Sequence, residues 1–153
     1  VSSIKAAEAR QAIGDGATEI DMVLDLGSLC AGEDQAVIDD IGTVVTAADG
    51  HIVKVICESH LLDDQQIERS CAAVSAAGAH FIKTCTGFSG GDATAAAVRL
   101  MRRCVAPHVR VKASGGIRDR TTAEALLAAG ADRLGCSATQ AILTGADAAT
   151  TSY

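Results

Sequence analysis

Lys54, Lys83 and Lys112 each sit inside an apolar, strand-like run, and successive ones are 29 residues apart. The runs are His51-Ile-Val-Lys-Val-Ile-Cys57, His80-Phe-Ile-Lys-Thr-Cys85 and Val109-Arg-Val-Lys-Ala113. An interval of about 30 residues is one strand-plus-helix unit. An ammonium group within a buried strand is costly, and burial pushes its pKa down. A lysine so placed can act as a nucleophilic amine near neutral pH. Asp21, in Glu19-Ile-Asp-Met-Val-Leu24, falls in the same register and can serve as ion-pair partner or proton relay. A single lysine of this kind is well explained by snorkelling or by a carboxylate partner. Three at matched positions, with Asp21 beside them, favour a site. Lys54 is the one best read as balancing the charge of Asp21.

The elements that must position these groups follow from helix and strand signals alternating along the chain. A helix over Ile4–Ile13 closes on Gly14 and Gly16, and the Asp21 strand follows. A helix over Glu33–Ala48 leads to the Lys54 strand, and a helix over Asp64–Ala77, with Asp63 as its cap, leads to the Lys83 strand. The turn Thr86-Gly-Phe-Ser-Gly-Gly-Asp92 precedes a helix over Ala93–Cys104. After the Lys112 strand come Ser114-Gly-Gly-Ile117, a helix over Thr122–Ala129, a strand over Arg133–Cys136 and a short helix at Ala138–Leu143. Gly16, Gly50, Gly78 and Gly130 introduce strands, and Asp21, Lys54, Lys83 and Gly135 follow them by four or five residues. Lys112 occupies the matching place in its own strand, so the repeat predicts that all five residues lie at one height.

Repeated βα units allow an open doubly wound sheet or a (β/α)8 barrel. Polar residues inside the strands favour the barrel, whose interior gathers side chains from several strands. The expectation is an α/β partial TIM barrel of about five βα units, forming one domain over residues 1–153. A full barrel has eight strands.

Composition agrees. Hydrophobic residues make up 48% of the 153 positions but aromatics only 2%, so the core must be built from Ala, Val, Ile and Leu. A net charge of −6 supplies no basic field, which argues against nucleic acid or an anionic membrane as partner. A phosphate ligand remains compatible, since backbone N–H groups bind it without a basic surface. Ser114-Gly115-Gly116-Ile117 and Leu134-Gly135-Cys136-Ser137 are glycine turns after consecutive late strands, where barrels bind phosphate. The six cysteines show no CxxC pair or metal-ligand spacing and read as buried or site-lining thiols of a cytoplasmic protein. The four histidines show no HExxH motif, so no metal is expected. Glu58-Ser59-His60 fails as a triad because adjacent residues do not face one another.

In Glu19-Ile-Asp-Met-Val23, Lys54-Val-Ile-Cys-Glu58, Phe81-Ile-Lys-Thr-Cys-Thr-Gly-Phe88, Val111-Lys-Ala-Ser-Gly-Gly-Ile-Arg118 and Arg133-Leu-Gly-Cys-Ser137, the chain resembles the deoxyribose-phosphate aldolase family. The resemblance implies that Lys83 forms a Schiff base with acetaldehyde. Lys112 is then the neighbouring cation that lowers the pKa of Lys83 and moves protons, and Asp21 completes the relay through water. The acceptor is glyceraldehyde 3-phosphate, held by backbone around Gly87, Gly115, Gly116 and Gly135 and by Ser137. The product is 2-deoxyribose 5-phosphate. No cofactor is implied, because the protonated imine is the electron sink.

The chain departs from the family pattern at Cys85, where a small hydroxyl residue is expected, and at Ala138, where some relatives have a second serine. The resemblance also implies three further strands ahead of the first helix and a tail tyrosine, Tyr153, that reaches the site. Without those strands the expectation is two open sheet edges, self-association as a homo-oligomer, a wetter Lys83 and weak activity of this chain alone.

Overall fold

The computed structural model describes residues 1–145. Helix α1 (Ser2–Gly14) precedes strand β1 (Glu19–Val23), and helices α2 (Leu26–Ala31) and α3 (Asp34–Ala47) follow it. Then β2 (Ile52–Ile56), α4 (Asp64–Ala76), β3 (Phe81–Lys83), α5 (Ala95–Cys104), β4 (Arg110–Ser114), α6 (Arg120–Ala128), β5 (Arg133–Gly135) and α7 (Thr139–Thr144) alternate. No helix of the described residues is long and apolar enough to cross a membrane.

The five strands form one parallel sheet in the order β1-β2-β3-β4-β5. Each strand therefore lies beside its neighbour in sequence, with no reversal of order. A doubly wound sheet reverses at a switch point, whereas a barrel does not. This architecture is a five-unit sector of a (β/α)8 barrel.

The sheet is also strongly curved. At a spacing of about 4.8 Å per strand, a flat sheet would set β1 and β5 about 19 Å apart. Yet Arg133 of β5 donates to Glu19 Oε2 of β1 at 2.6 Å. Only a sheet curled around its concave face brings those side chains together.

Alternation along each strand separates two environments. Ile20, Met22, Val53, Val55, Ile82, Val111 and Ala113 point outward and pack against Val37, Ile41, Val44, Ile67, Val74, Val98, Met101 and Leu126 of the helices. Polar residues occupy the concave side. Its floor is Phe81, fully buried beneath the guanidinium groups of Arg110 and Arg133, which lie 4.3 Å and 4.9 Å from its ring centre.

Helix starts are set by side-chain caps. Asp63 caps α4 in a reciprocal box with Gln66, accepting from Gln66 N–H at 2.8 Å. Helix α5 starts at Ala95 rather than Ala93 because Thr94 takes the cap position, and α6 starts at Arg120 because Asp119 does. Helix α2 has no counterpart in the periodicity, being only six residues long; its signals are Asp25, which accepts from Ser28 N–H, and left-handed Gly32.

Equal height holds only in pairs. Asp21 is level with Lys54, but Lys54 is level with Phe81; Lys83 is level with Lys112, and Lys112 with Arg133 rather than Gly135. Lys83 and Lys112 therefore stand one same-face step above Lys54. The cause is the stagger between strands that barrel closure requires.

Just past β3, Thr84 locks this arrangement. Its buried hydroxyl donates to Ser114 O at 2.8 Å and accepts from Ser114 N–H at 2.9 Å. Thr84→Val preserves shape but leaves both Ser114 backbone groups without that partner. We expect a loss of about 1–3 kcal/mol, read as a lower urea midpoint at unchanged m.

Candidate active site

Asp21 is where the three lysines meet. Lys54 Nζ donates to Oδ1 at 2.8 Å, while Lys83 Nζ and Lys112 Nζ donate to Oδ2 at 2.8 Å and 3.3 Å. Lys54 also pairs with Glu19 Oε2 at 2.7 Å. Glu19 in turn holds Arg133, so two carboxylates of β1 bind cations from β2, β3, β4 and β5.

The lysine side chains are well covered: Lys54 is 5% exposed, Lys83 12% and Lys112 15%, against 32% for Asp21. The open side of β1 thus wets the carboxylate more than the amines. The Lys83–Asp21 contact itself lies on the exposed side of this network.

The electrostatics follow from this packing. Burial raises the pKa of Asp21, but hydrogen bonds from Lys54 and Lys83, with the charges of Lys83 and Lys112, more than reverse it and hold the group far below the usual carboxylate range. Glu19 is lowered to about 2, chiefly by its hydrogen bonds to Lys54 and Arg133. Burial depresses Lys112; Asp21 opposes that shift, and the Lys83 charge reinforces it.

Above this network opens a cavity of about 480 Å³, lined by Lys83 together with Gly87, Gly115, Gly116, Gly135 and Ser137. All five residues expected to hold substrate therefore face the same space as the expected nucleophile. Two of the glycines are required by close approach and left-handed backbone: a Cβ on Gly115, at φ +100°, would lie 2.8 Å from Gly91 O, and one on Gly116, at φ +70°, would strike the Asp92 carboxylate; at Gly135 a Cβ would crowd Lys112 Cε at 3.2 Å. A larger cleft of about 960 Å³ lies among α1, α3 and α4; its charged lining residues are Arg10, Asp39 and Asp49, and no lysine, histidine or cysteine lines it.

Sequence reasoning missed several groups. Arg118 and Thr86 also line the cavity; Thr86 opens one glycine turn and Arg118 directly follows the other, and their polarity is the available signal. Glu19 enters through its partner Arg133, 114 residues away, which no local pattern reveals. Glu58 and His60 correct the reading that adjacent residues cannot face one another. Glu58 takes a left-handed backbone (φ 49°, ψ 56°) before the turn Ser59–Leu61, and this folds His60 Nδ1 to 3.5 Å from Glu58 Oε2. The expected tail contact of Tyr153 lies outside the described residues.

Comparison with known proteins gives the family. Residues 1–148 match the profile described as DeoC/LacD family aldolase. The chain belongs to that family. It is 51% identical over 150 residues to a deoxyribose-phosphate aldolase of Rhodospirillum rubrum, covering 98% of this chain and 63% of that protein. It is 52% identical over 151 residues to one from Bacillus cereus, covering 97% of this chain and 68% of the relative. The chain thus spans about two thirds of the length of these curated relatives. A crystal structure of a putative deoxyribose-phosphate aldolase from Coccidioides immitis superposes with a TM-score of 0.91 at 38% identity, over 95% of this chain and 58% of that one. The tetrameric deoxyribose phosphate aldolase from Aeropyrum pernix gives 0.83 at 34%, over 95% and 62%. Membership of the aldolase family agrees with lysines gathered on the concave face of barrel strands, with Lys83 at the carboxyl end of β3.

The network predicts how stability depends on pH. The folded pKa of Asp21 lies below its ordinary 3.8, so its stabilising contribution is present above about pH 4 and is lost as pH falls toward the folded value. Asp21→Asn leaves three ammonium groups facing each other. Since Asp21 is only partly buried, we expect a loss of about 1–3 kcal/mol at pH 7, between the values for exposed and buried pairs. The difference from wild type should shrink below pH 4, as followed by thermal melts across pH; a constant difference would contradict the assignment.

Proposed function

We propose that the protein containing this chain is a deoxyribose-phosphate aldolase, cleaving 2-deoxy-D-ribose 5-phosphate reversibly to acetaldehyde and D-glyceraldehyde 3-phosphate. The observation that carries this reading is the convergence of Lys83 and Lys112 on one oxygen of Asp21 at the edge of a glycine-lined cavity. The relatives named for this activity support it. The substrate is a small phosphorylated sugar. The setting is the cytoplasm, with self-association into a homo-oligomer, in keeping with the tetramer described for the Aeropyrum pernix relative.

In the cleavage direction the neutral amine of Lys83 attacks C1 of the open-chain aldehyde, forming a C–N bond. The carbinolamine loses water to give a protonated imine. Removal of the proton from the C3 hydroxyl then breaks the C2–C3 bond, and its electron pair moves toward the iminium nitrogen. Glyceraldehyde 3-phosphate leaves, the enamine is protonated at C2, and water releases acetaldehyde. Lys112 and ionised Asp21, joined to Lys83 through Oδ2, serve the proton transfers. The backbone at Gly87, Gly115, Gly116 and Gly135, with the Ser137 hydroxyl, holds the phosphate. Lys54 keeps Asp21 in place from its other oxygen.

Borohydride reduction with acetaldehyde, followed by peptide mass mapping, tests the nucleophile. A two-carbon adduct on Lys83 is expected; adducts scattered over surface lysines would overturn the assignment. Acetaldehyde should outperform dihydroxyacetone phosphate as donor, and the reverse order would indicate a different sugar-phosphate lyase.

Lys112→Met should slow trapping about 100-fold or more, the scale of lost acid–base assistance. Its stability effect has the opposite sign. Because burial lowers the folded pKa of Lys112 below 10.5, its charge weakens the fold at neutral pH, and the penalty is relieved as pH rises through the folded value toward 10.5. The variant should therefore melt at or above the wild-type temperature at pH 7.

A further inference from the structure

We propose that Glu58, His60 and Cys85 form a binding site for one transition-metal ion of the Zn2+ class, beside the glycine-lined cavity but not part of its lining. Their donor atoms all lie within 4.8 Å of one another, and none of the three residues lines that cavity. Nor does any of them take part in the carbonyl chemistry proposed above.

The spacing fits a tetrahedral ion. With Zn–S near 2.3 Å and Zn–N or Zn–O near 2.0 Å, tetrahedral ligands stand about 3.6 Å apart for S···N and about 3.3 Å for N···O. Cys85 Sγ lies 3.7 Å from His60 Nδ1, and His60 Nδ1 lies 3.5 Å from Glu58 Oε2. Those two separations are within a few tenths of an ångström of tetrahedral spacing; the third pair, Cys85 Sγ and the Glu58 carboxylate, lies within 4.8 Å, so the ion draws the carboxylate and the sulfur together to complete three corners of its shell. The fourth is left to water or to the Ser59 hydroxyl, 3.8 Å from the sulfur. A thiolate, an imidazole and a carboxylate together suit a borderline ion and not Mg2+ or Ca2+, which take oxygen donors.

The donors are also held in place, as metal ligands are. Glu58, 4% exposed, accepts from Thr86 N–H at 3.1 Å and from Ser89 Oγ at 2.9 Å. Its left-handed backbone is uncommon for a residue other than glycine and aims the carboxylate inward. The His60 ring lies against Gly91, where any Cβ would collide with it. Cys85 is fully buried, and the partly exposed His60 side chain is the route by which an ion arrives. On binding, the Cys85 S–H bond breaks, its proton passes to solvent, and the sulfur electron pair forms the bond to the ion, with no change of oxidation state.

The test is a titration of the metal-stripped, reduced chain with Co2+, followed by displacement with Zn2+. We expect one equivalent of Co2+, with a sulfur-to-cobalt charge-transfer band and the intense visible bands of a tetrahedral site. Cys85→Ser should abolish the charge-transfer band. His60→Ala should weaken Zn2+ binding about 100-fold or more, while Cys30→Ser, at an exposed thiol, should leave it unchanged. Circular dichroism checks that each variant is folded. If Cys85→Ser fails to fold, His60→Ala, at a partly exposed side chain, decides alone. Absence of the charge-transfer band, its loss in Cys30→Ser, or full Zn2+ affinity in folded His60→Ala would overturn the proposal.

Discussion

The charge clamp between β1 and the other strands governs both the shape and the chemistry of this molecule. Asp21 and Glu19 are the anions that draw Lys54, Lys83, Lys112 and Arg133 inward from four successive strands. Parallel strands would otherwise present these cations as a repelling stripe on one face. With the carboxylates on β1, the same stripe favours curvature, because bending shortens every one of those ion pairs. The hydrophobic layer on the outer face fixes which residues turn inward, but it does not by itself select how far the sheet curls.

The stagger between strands refines that effect into a division of labour. Lys54 stands level with Asp21 and takes Oδ1, while Lys83 and Lys112 stand one step higher and share Oδ2. The lower lysine is almost fully covered and closes the floor. Of the upper pair, Lys83 ends β3 and lines the cavity, while Lys112, level with it, stands at the middle of β4. One carboxylate thus separates a structural cation from two reactive ones. The absence of a side chain at Gly135 matters for the same reason, since Lys112 runs directly beside it.

Much of this was legible in the sequence because its signals are local. A lysine inside an apolar run is conspicuous, and three of them a βα unit apart suggested the barrel. The glycine turns announced the cavity, whose lining includes every residue expected to hold substrate. What stayed hidden is non-local. The stagger between strands cannot be read from any single strand, so the common height assigned to Asp21, Lys54, Lys83, Lys112 and Gly135 split into levels. The Glu19–Arg133 pair depends on curvature, and the approach of Glu58 to His60 on a left-handed residue that sequence does not mark.

Charge finally explains how an acidic chain can receive an anion. The net charge of −6 resides largely outside the concave face, where lysines and arginines outnumber the carboxylates that hold them. A phosphate entering the glycine-lined cavity meets backbone donors first and this cation-rich floor behind them. The field that attracts it falls off within about 8 Å at physiological salt, so the acidic exterior does not cancel it locally. Adding carboxylates to the concave face would neutralise the lysines more fully but would remove that attraction. One shared carboxylate oxygen for two ammonium groups holds the site together while leaving positive charge available to a substrate.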